Sequence, residues 1–502
     1  MLGGVALSMQ KVVRGGLWLY LDTILTYSIG YIYWLIISRI AGASVVGYAG
    51  TTTSLALLLQ TIVLLGIPMG LQRFIGKSLG EGNYADLKGY FISSLSFCFI
   101  ILASTCLLFF FLQQPLHKIT GLDAVYIFLA IFLLLFSGLN MALRSFLISI
   151  VYVNNIFIAD LIANSIRLLT GVLLVLEGWG GVGATAGFVF SASTNTVLLS
   201  LYSIRALKEF GEARAKISYR FVNDTLKAGF ANWLPGVVTV VGIQFAILAV
   251  FGFRGASEAG IYYVAYAITS IVLALPMSLL GLLFPVLSGM SDGRKRATSN
   301  IIRISLDISV PIAIAVIVYS KFVLNLLGEE FVAGWLILSV LCLSVPLACV
   351  VQGVTSLTYA TGLYRIVLAI GLAMSVTRVA LYFLLVPVWG GVGAAISFFA
   401  GFLISFLVTI LIAYRIKFAI MWEVFIITIM VPIIVGLPVY FFNLPYYLGI
   451  PLILLGSSII YARLRVITRD DLGIIATAVL PQEVIKQITL KIDPILKILF
   501  GE

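Results

Sequence analysis

Charge is scarce in this chain. Its 502 residues include 31 Lys+Arg and 20 Asp+Glu, so charged residues make up 10% against 62% hydrophobic. A soluble domain carries about 25% charged residues on its surface. A chain with this composition cannot cover itself with polar groups, which excludes a soluble multidomain enzyme and makes lipid the solvent. Histidine is nearly absent: His117 stands alone, so no multi-histidine metal site or His-dependent triad is available. The four cysteines (Cys98, Cys106, Cys342, Cys349) lie in apolar runs without CxxC spacing, which excludes a zinc ribbon or a disulfide framework. No metal and no cofactor is expected. No cleavable signal peptide is evident, because the first long apolar run continues well past the length of such a segment. Connections between apolar runs do not exceed about 25 residues, too short for a soluble catalytic domain, so the chain is not read as an enzyme.

What is abundant is long apolar sequence. Runs of about 20 residues fall near 14–38, 45–69, 89–112, 124–143, 156–176, 182–204, 228–252, 260–284, 301–320, 334–358, 366–386, 392–414, 424–442 and 446–461. Each is long enough to cross about 30 Å of hydrocarbon as a helix, the form that satisfies its own backbone. The expected fold is therefore all-α and integral to a membrane, with about 14 transmembrane helices.

The basic residues alternate from side to side. With the N-terminus in the cytoplasm, 25 Lys and Arg fall in inner segments, from Lys11 and Arg14 through Arg144 and the Arg205–Lys227 connection to the tail. Only Arg39, Lys118, Arg254 and Lys321 fall outside, and Arg167 and Arg378 lie within spans. This asymmetry follows the positive-inside rule and puts both termini in the cytoplasm. It also assigns the net charge of +11 to lipid headgroups instead of nucleic acid. From Pro481 the tail is apolar with interspersed lysines, which suits a helix lying on the inner leaflet.

An internal repeat organises the chain. Trp179 begins WGGVGAT and Trp389 begins WGGVGAA, an offset of 210; Phe188 meets Phe398 and Arg205 meets Arg415 at the same offset. GASVVGY at Gly42 echoes GASEAGIYY at Gly255. The expected organisation is a first six-helix lobe over 1–204, a cytoplasmic linker over 205–227, and a second lobe over 228–414. Two added helices over 415–461 and an amphipathic tail over 462–502 complete it. Six is even, so the copies enter the membrane from the same side, related by a pseudo-two-fold axis along its normal. Two such lobes suit alternating access around a central site. The glycines after each tryptophan permit a tight turn and close helix contact, and the tryptophan itself belongs at the interface.

With its two six-helix lobes, Ser38-Arg39-Ile40-Ala41-Gly42 followed by Gly47-Tyr48, and paired tryptophan–glycine turns, the chain resembles the multidrug/oligosaccharidyl-lipid/polysaccharide (MOP) exporter superfamily. Fourteen spans resemble its lipid-linked oligosaccharide branch, since the multidrug extruders typically have twelve. The resemblance implies flipping of a polyprenyl-(pyro)phosphate-linked oligosaccharide from the cytoplasmic to the outer leaflet of the cell membrane, by a monomer. The competing readings are a multidrug/cation antiporter of the same superfamily and, from another class, a membrane glycosyltransferase or polymerase. The latter needs acidic metal-binding motifs and a sizeable outer loop, neither of which is present.

Ionisable residues inside spans each need a partner, a watery cavity or a task, because insertion costs about 2.5–3.5 kcal/mol apiece. Asp160, Asn164 and Arg167 share one helical face at i, i+4 and i+7. Arg167 and Arg378 fall at near-equivalent places in the two copies, where paired guanidinium groups suit a diphosphate; alternatively Asp160 and Arg167 neutralise each other through Asn164. Arg39 matches the segment whose arginines line the cavity in the lipid II flippase branch, with Arg254 as its approximate counterpart; as plain interface cations both would snorkel. Asp22, on a hydroxyl-rich stretch, is the candidate site for a coupling proton or sodium ion, or a partner for Arg14 or a lysine.

Overall fold

The computed structural model describes residues 9–211, 217–289 and 292–466; the surface helix expected from Pro481 lies outside them. Among the described residues there is no strand, and the expected all-helical membrane fold is what the chain forms. The α-helices run α1 Met9–Val63, α2 Ile67–Gly80, α3 Tyr84–Phe111, α4 Gln113–Thr120, α5 Ala124–Ser149, α6 Val153–Leu174, α7 Gly180–Glu209 and α8 Tyr219–Arg254. They continue as α9 Ala256–Gly289, α10 Arg294–Val318, α11 Ser320–Asn325, α12 Trp335–Cys342, α13 Val345–Ala360, α14 Tyr364–Arg415, α15 Trp422–Phe441 and α16 Tyr446–Arg463. Large apolar side chains stay exposed on them, Phe111, Leu169, Leu411 and Ile434 among others. That exposure is unfavourable in water and neutral in acyl chains.

Eleven helical stretches among the described residues are long and apolar enough to cross a membrane. Three of them, Leu21–Val63, Val153–Glu209 and Tyr364–Arg415, hold 43, 57 and 52 residues, roughly twice the 20 residues one crossing needs. Each is broken at glycine. Gly42 has φ 73° and ψ −176°, Gly180 φ 51° and ψ −127°, and Gly390 φ 55° and ψ −131°. Gly180 and Gly390 are the repeat-equivalent glycines of the two WGGVGA motifs, and they adopt nearly the same backbone conformation. A residue with a Cβ rarely takes it. Gly42 has its own counterpart in Gly255, at φ 87° and ψ 179°. The repeated sequence is thus a repeated set of backbone breaks, with Trp179 and Trp389 both exposed beside them.

The chain gathers into two compact units. The first holds Met1–Val264, Leu326–Phe331 and Val379–Ala394, and the second Ala265–Asn325, Val332–Arg378 and Ala395–Glu502. α8 belongs to the first unit. There, Leu71, Leu87, Phe91, Phe146, Ile156 and Leu199 share one buried cluster from α2, α3, α5, α6 and α7. In the second unit Leu280, Leu306, Val354 and Phe406 anchor another. Buried polar contacts tie α15 to α10 and α16 to α15. Thr428 donates to the Asp307 carboxylate at 3.2 Å, and Tyr461 donates to the Thr428 carbonyl at 2.6 Å.

Within the first unit the segments that begin at Ala43 and Ala256 cross at their glycines. A Cβ added to Gly47 falls 1.8 Å from the Ala256 carbonyl oxygen, and one added to Gly260 falls 1.9 Å from the Ala43 carbonyl oxygen. Small residues at i and i+4 on both helices permit this approach, the usual device where lipid offers no hydrophobic drive to helix pairing. Gly47→Val and Gly260→Val are therefore expected to lower the thermal midpoint in detergent by several degrees, in line with an overpacking cost of about 1–3 kcal/mol. Gly76→Ala, whose added methyl meets nothing within 4 Å, is the neutral control.

Candidate functional site

Four helices of the first unit converge on an open cavity of about 420 Å³. α1 supplies Asp22, Thr23, Thr26 and Tyr27; α5 supplies Arg144; α6 supplies Asp160, Ala163 and Asn164; α7 supplies Ser191 and Asn195. The spacing on each helix is that of one face, so a polar stripe on otherwise apolar segments is enough to build the cavity.

Arg144 holds it together. One terminal nitrogen of its guanidinium donates to the Asp22 carboxylate and the other to that of Asp160. Asp22 and Asp160 are 2% and 5% exposed, whereas the Arg144 side chain is 33% exposed. The charged partner with access to the cavity is therefore the arginine. Asn195 donates to the second Asp160 oxygen at 2.7 Å, and Asn164 donates to the backbone carbonyl of Asp160 at 2.8 Å. The other Asp22 oxygen, Oδ1, and Asn195 Oδ1 have no hydrogen-bond partner. Two carboxylates around one guanidinium leave the trio one negative charge in excess.

Of the two readings of their shared face, the neutralisation of Asp160 and Arg167 through Asn164 does not form: Asn164 donates to the Asp160 backbone carbonyl, and the Asp160 carboxylate pairs with Arg144. Seven residues of helix are about 10 Å of rise, too far for contact, and Arg144 on the neighbouring helix lies closer. Arg167 packs on aromatic rings instead, its Cζ 5.3 Å from the centroid of Tyr33 and 4.9 Å from that of Phe188. It is 9% exposed, and its Nε and Nη2 have no hydrogen-bond partner. The ring faces supply the attraction. Asp22 meets Arg144; the side chain of Arg14, the other partner expected for it, lies outside the described residues.

In the second unit Arg378 is fully buried. Its Cζ lies 3.9 Å from the Phe398 centroid and 4.5 Å from that of Phe402, and its Nε donates to the Phe398 carbonyl at 3.4 Å. Phe188 and Phe398 are repeat equivalents, so each copy seats a buried arginine on the same phenylalanine. The rest of the site is not duplicated. Where the first copy has Asp160 and Asn164, the second has Ile370 and Met374, both buried.

Arg39 and Arg254 lie outside the cavity, on backbone carbonyls. Arg39 Nε donates to Leu326 O at 2.7 Å, and Arg254 donates to Val388 O. Carboxylates sit at the neighbouring breaks: Glu330 accepts from the Ala43 N–H at 2.9 Å and Glu258 from that of Gly391 at 2.7 Å. Among the described residues no group of acidic, cysteine and histidine side chains has the arrangement of a metal site.

The residues that sequence reading missed are Arg144 and Asn195. With a span ending at 143, Arg144 counts as a charge of the connection; α5 in fact continues to Ser149 and carries it inside. The available signal was a lone arginine flanked on both sides by apolar residues. For Asn195 the signal was a polar pair with Ser191 at i and i+4 in the sixth apolar run.

The chain matches the family model described as Polysaccharide biosynthesis protein over residues 12–291. Solved structures share its fold. The lipid II flippase MurJ, in an inward closed conformation, aligns at TM-score 0.70 and 16% identity, covering 89% of this chain and 99% of that one. An inward-facing multidrug resistance MATE family transporter of the MOP superfamily aligns at 0.66 and 14%, covering 78% and 94%. A Vibrio cholerae MATE transporter aligns at 0.56 and 15%, covering 81% and 96%. No curated protein matches the chain by sequence.

The geometry ranks three substitutions by stability. Arg144→Ala strands two buried carboxylates, and breaking such a cluster from the cationic side costs about 3 kcal/mol or more. Asp22→Asn leaves a neutral Arg144–Asp160 pair and is expected to cost about 1 kcal/mol or less; Asp160→Asn falls between, because Asn195 also loses its acceptor. Thermal unfolding in detergent, monitored by tryptophan fluorescence, checks the order.

Proposed function

The chain belongs to the polysaccharide biosynthesis protein family of the MOP superfamily of membrane transporters, and from that premise we propose that it flips a polyprenyl-(pyro)phosphate-linked oligosaccharide from the cytoplasmic to the outer leaflet by alternating access. The observation that carries this reading is Arg144, a guanidinium with access to a polar cavity inside a lipid-embedded helix bundle. An anionic headgroup needs such a donor, and arginine binds phosphate oxygens in bidentate fashion. The glycan would occupy the wet space, while the polyprenyl tail stays in hydrocarbon.

Several features complete the proposal. Counting each of the three glycine-broken stretches as two crossings raises the eleven to fourteen, grouped as lobes over 1–204 and 228–414 joined by the 205–227 linker. The helices over 415–461 and the tail over 462–502 are additions. Both termini lie in the cytoplasm, following the distribution of basic residues, and the protein works in the cell membrane as a monomer. Arg167 and Arg378 join the phosphate path when the lobes move and their rings are vacated, with Asp160 and Asn164 beside it. Arg39 and Arg254 serve at its outer mouth. Asp22 binds the coupling proton or sodium ion.

A second reading, a multidrug/cation antiporter, is supported by the two aspartates of the cavity and by the MATE structures that share the fold. Reconstitution in proteoliposomes separates the two. The flippase reading expects transfer of a lipid-linked saccharide between leaflets, and the antiporter reading expects gradient-driven efflux of a lipophilic cation instead. Within the flippase assay, Arg167→Ala and Arg378→Ala are each expected to slow transfer at least roughly tenfold, the scale of one lost charged contact. Wild-type rates in both, with normal insertion, would remove these arginines from the path. Asp22→Asn is expected to make transfer insensitive to collapse of the proton or sodium gradient.

A further inference from the structure

The geometry points to Arg144 as a tethered counter-ion: in the substrate-free protein it fills the place between Asp22 and Asp160 that a free monovalent cation takes once an anionic headgroup draws the guanidinium away. The anion half of this inference rests on the flippase reading, and the cation half does not.

Two aspartates from different helices share a single guanidinium, one terminal nitrogen each. Its removal leaves two buried carboxylates without their cation, a state that is strongly unfavourable in a low-dielectric interior. The oxygens then left are hard donors: both carboxylates, of which Asp22 Oδ1 has no hydrogen-bond partner even with Arg144 in place, with the Asn195 amide beside Asp160. Sodium prefers oxygen ligands of this kind, as other hard cations do, and a proton neutralises the same carboxylates. Among the described residues, the charged and titratable groups that line the cavity at this point are Asp22 and Tyr27 from α1, Arg144 from α5 and Asp160 from α6, and α7 presents the neutral Ser191 and Asn195. Arg144 is also the member of the trio free to leave, since its side chain reaches the cavity while the carboxylates are buried.

A guanidinium and a free cation cannot occupy one place, so the two exclude each other. An anion that captures Arg144 must then raise the affinity for the cation, and by linkage the cation raises affinity for the anion by the same factor. Cation and anion are bound together. A carboxylate shared between a cation and a cationic drug gives the opposite sign, because there the two ligands compete.

The test uses the full-length protein in lipid nanodiscs, with radioactive sodium binding and proton uptake by a pH-indicator dye as readouts and inorganic pyrophosphate as the anionic probe. Wild type is expected to bind sodium, or take up a proton, roughly tenfold more tightly when pyrophosphate is present, within the usual range of coupling between sites. Arg144→Gln is expected to show that tighter cation binding with no pyrophosphate added and to lose the response to it. Arg144→Lys, which keeps the charge and serves if the glutamine variant does not fold, is expected to retain a weaker response. Unchanged or weakened cation binding in folded Arg144→Gln overturns the inference, as does pyrophosphate that displaces the cation from wild type. A cation effect that holds in a protein moving lipophilic cations and no lipid-linked saccharide overturns the substrate reading while leaving the tethered ion in place.

Discussion

The polar interior of the first unit depends on one interaction, the bridge that Arg144 makes between Asp22 and Asp160. Carboxylates only 2% and 5% exposed, though they line a cavity, have little contact with water, so their charge must be met by a partner. That partner arrives from α5, near the end of a long apolar helix, and meets carboxylates on α1 and α6. Asn195 and Asn164 complete the polar lining.

The second constraint is the backbone itself. Hydrocarbon admits a spanning chain only as a helix whose amides are satisfied internally, so a crossing ends only where something else takes up the freed groups. Here glycines in positive-φ conformations turn the chain, and carboxylates from distant segments accept the exposed N–H groups at Ala43 and Gly391. Because Gly180 and Gly390 sit in the two copies of one motif, the same solution appears twice. Duplication preserved this architecture and one buried arginine on a phenylalanine in each copy. The acidic cavity is not shared: Ile370 and Met374 stand in the second copy where Asp160 and Asn164 stand in the first. The two halves therefore share a scaffold and differ in chemistry.

That difference bears on transport. A site lined by two aspartates and one arginine suits neither a plain anion nor a plain cation. Under the mechanism proposed above it suits a pair of opposite charges, with the arginine as the exchangeable member. A lipid-linked (pyro)phosphate and a coupling ion form such a pair, and a headgroup carried with its own compensating charge crosses a low-dielectric path more readily than a naked one.

Composition, hydropathy and the alternation of basic residues determined by themselves that this is an all-helical membrane protein, because the solvent allows a chain this apolar few other forms. The repeat at Trp179 and Trp389 and the glycine turns were equally legible, since a backbone conformation that only glycine tolerates leaves a mark in the residues. The sequence also marked Asp22, Asp160, Asn164 and Arg167 as special, because a charge in an apolar run is conspicuous without any structure. Which charges meet was decided by tertiary structure alone. Arg144 lies 122 residues from Asp22, and its role depended on α5 running six residues past the expected end of its span. Arg167 shared a face with Asp160 yet found Tyr33 and Phe188 instead. Pairing is settled by how neighbouring helices approach, and helical spacing reports only one side of that contact.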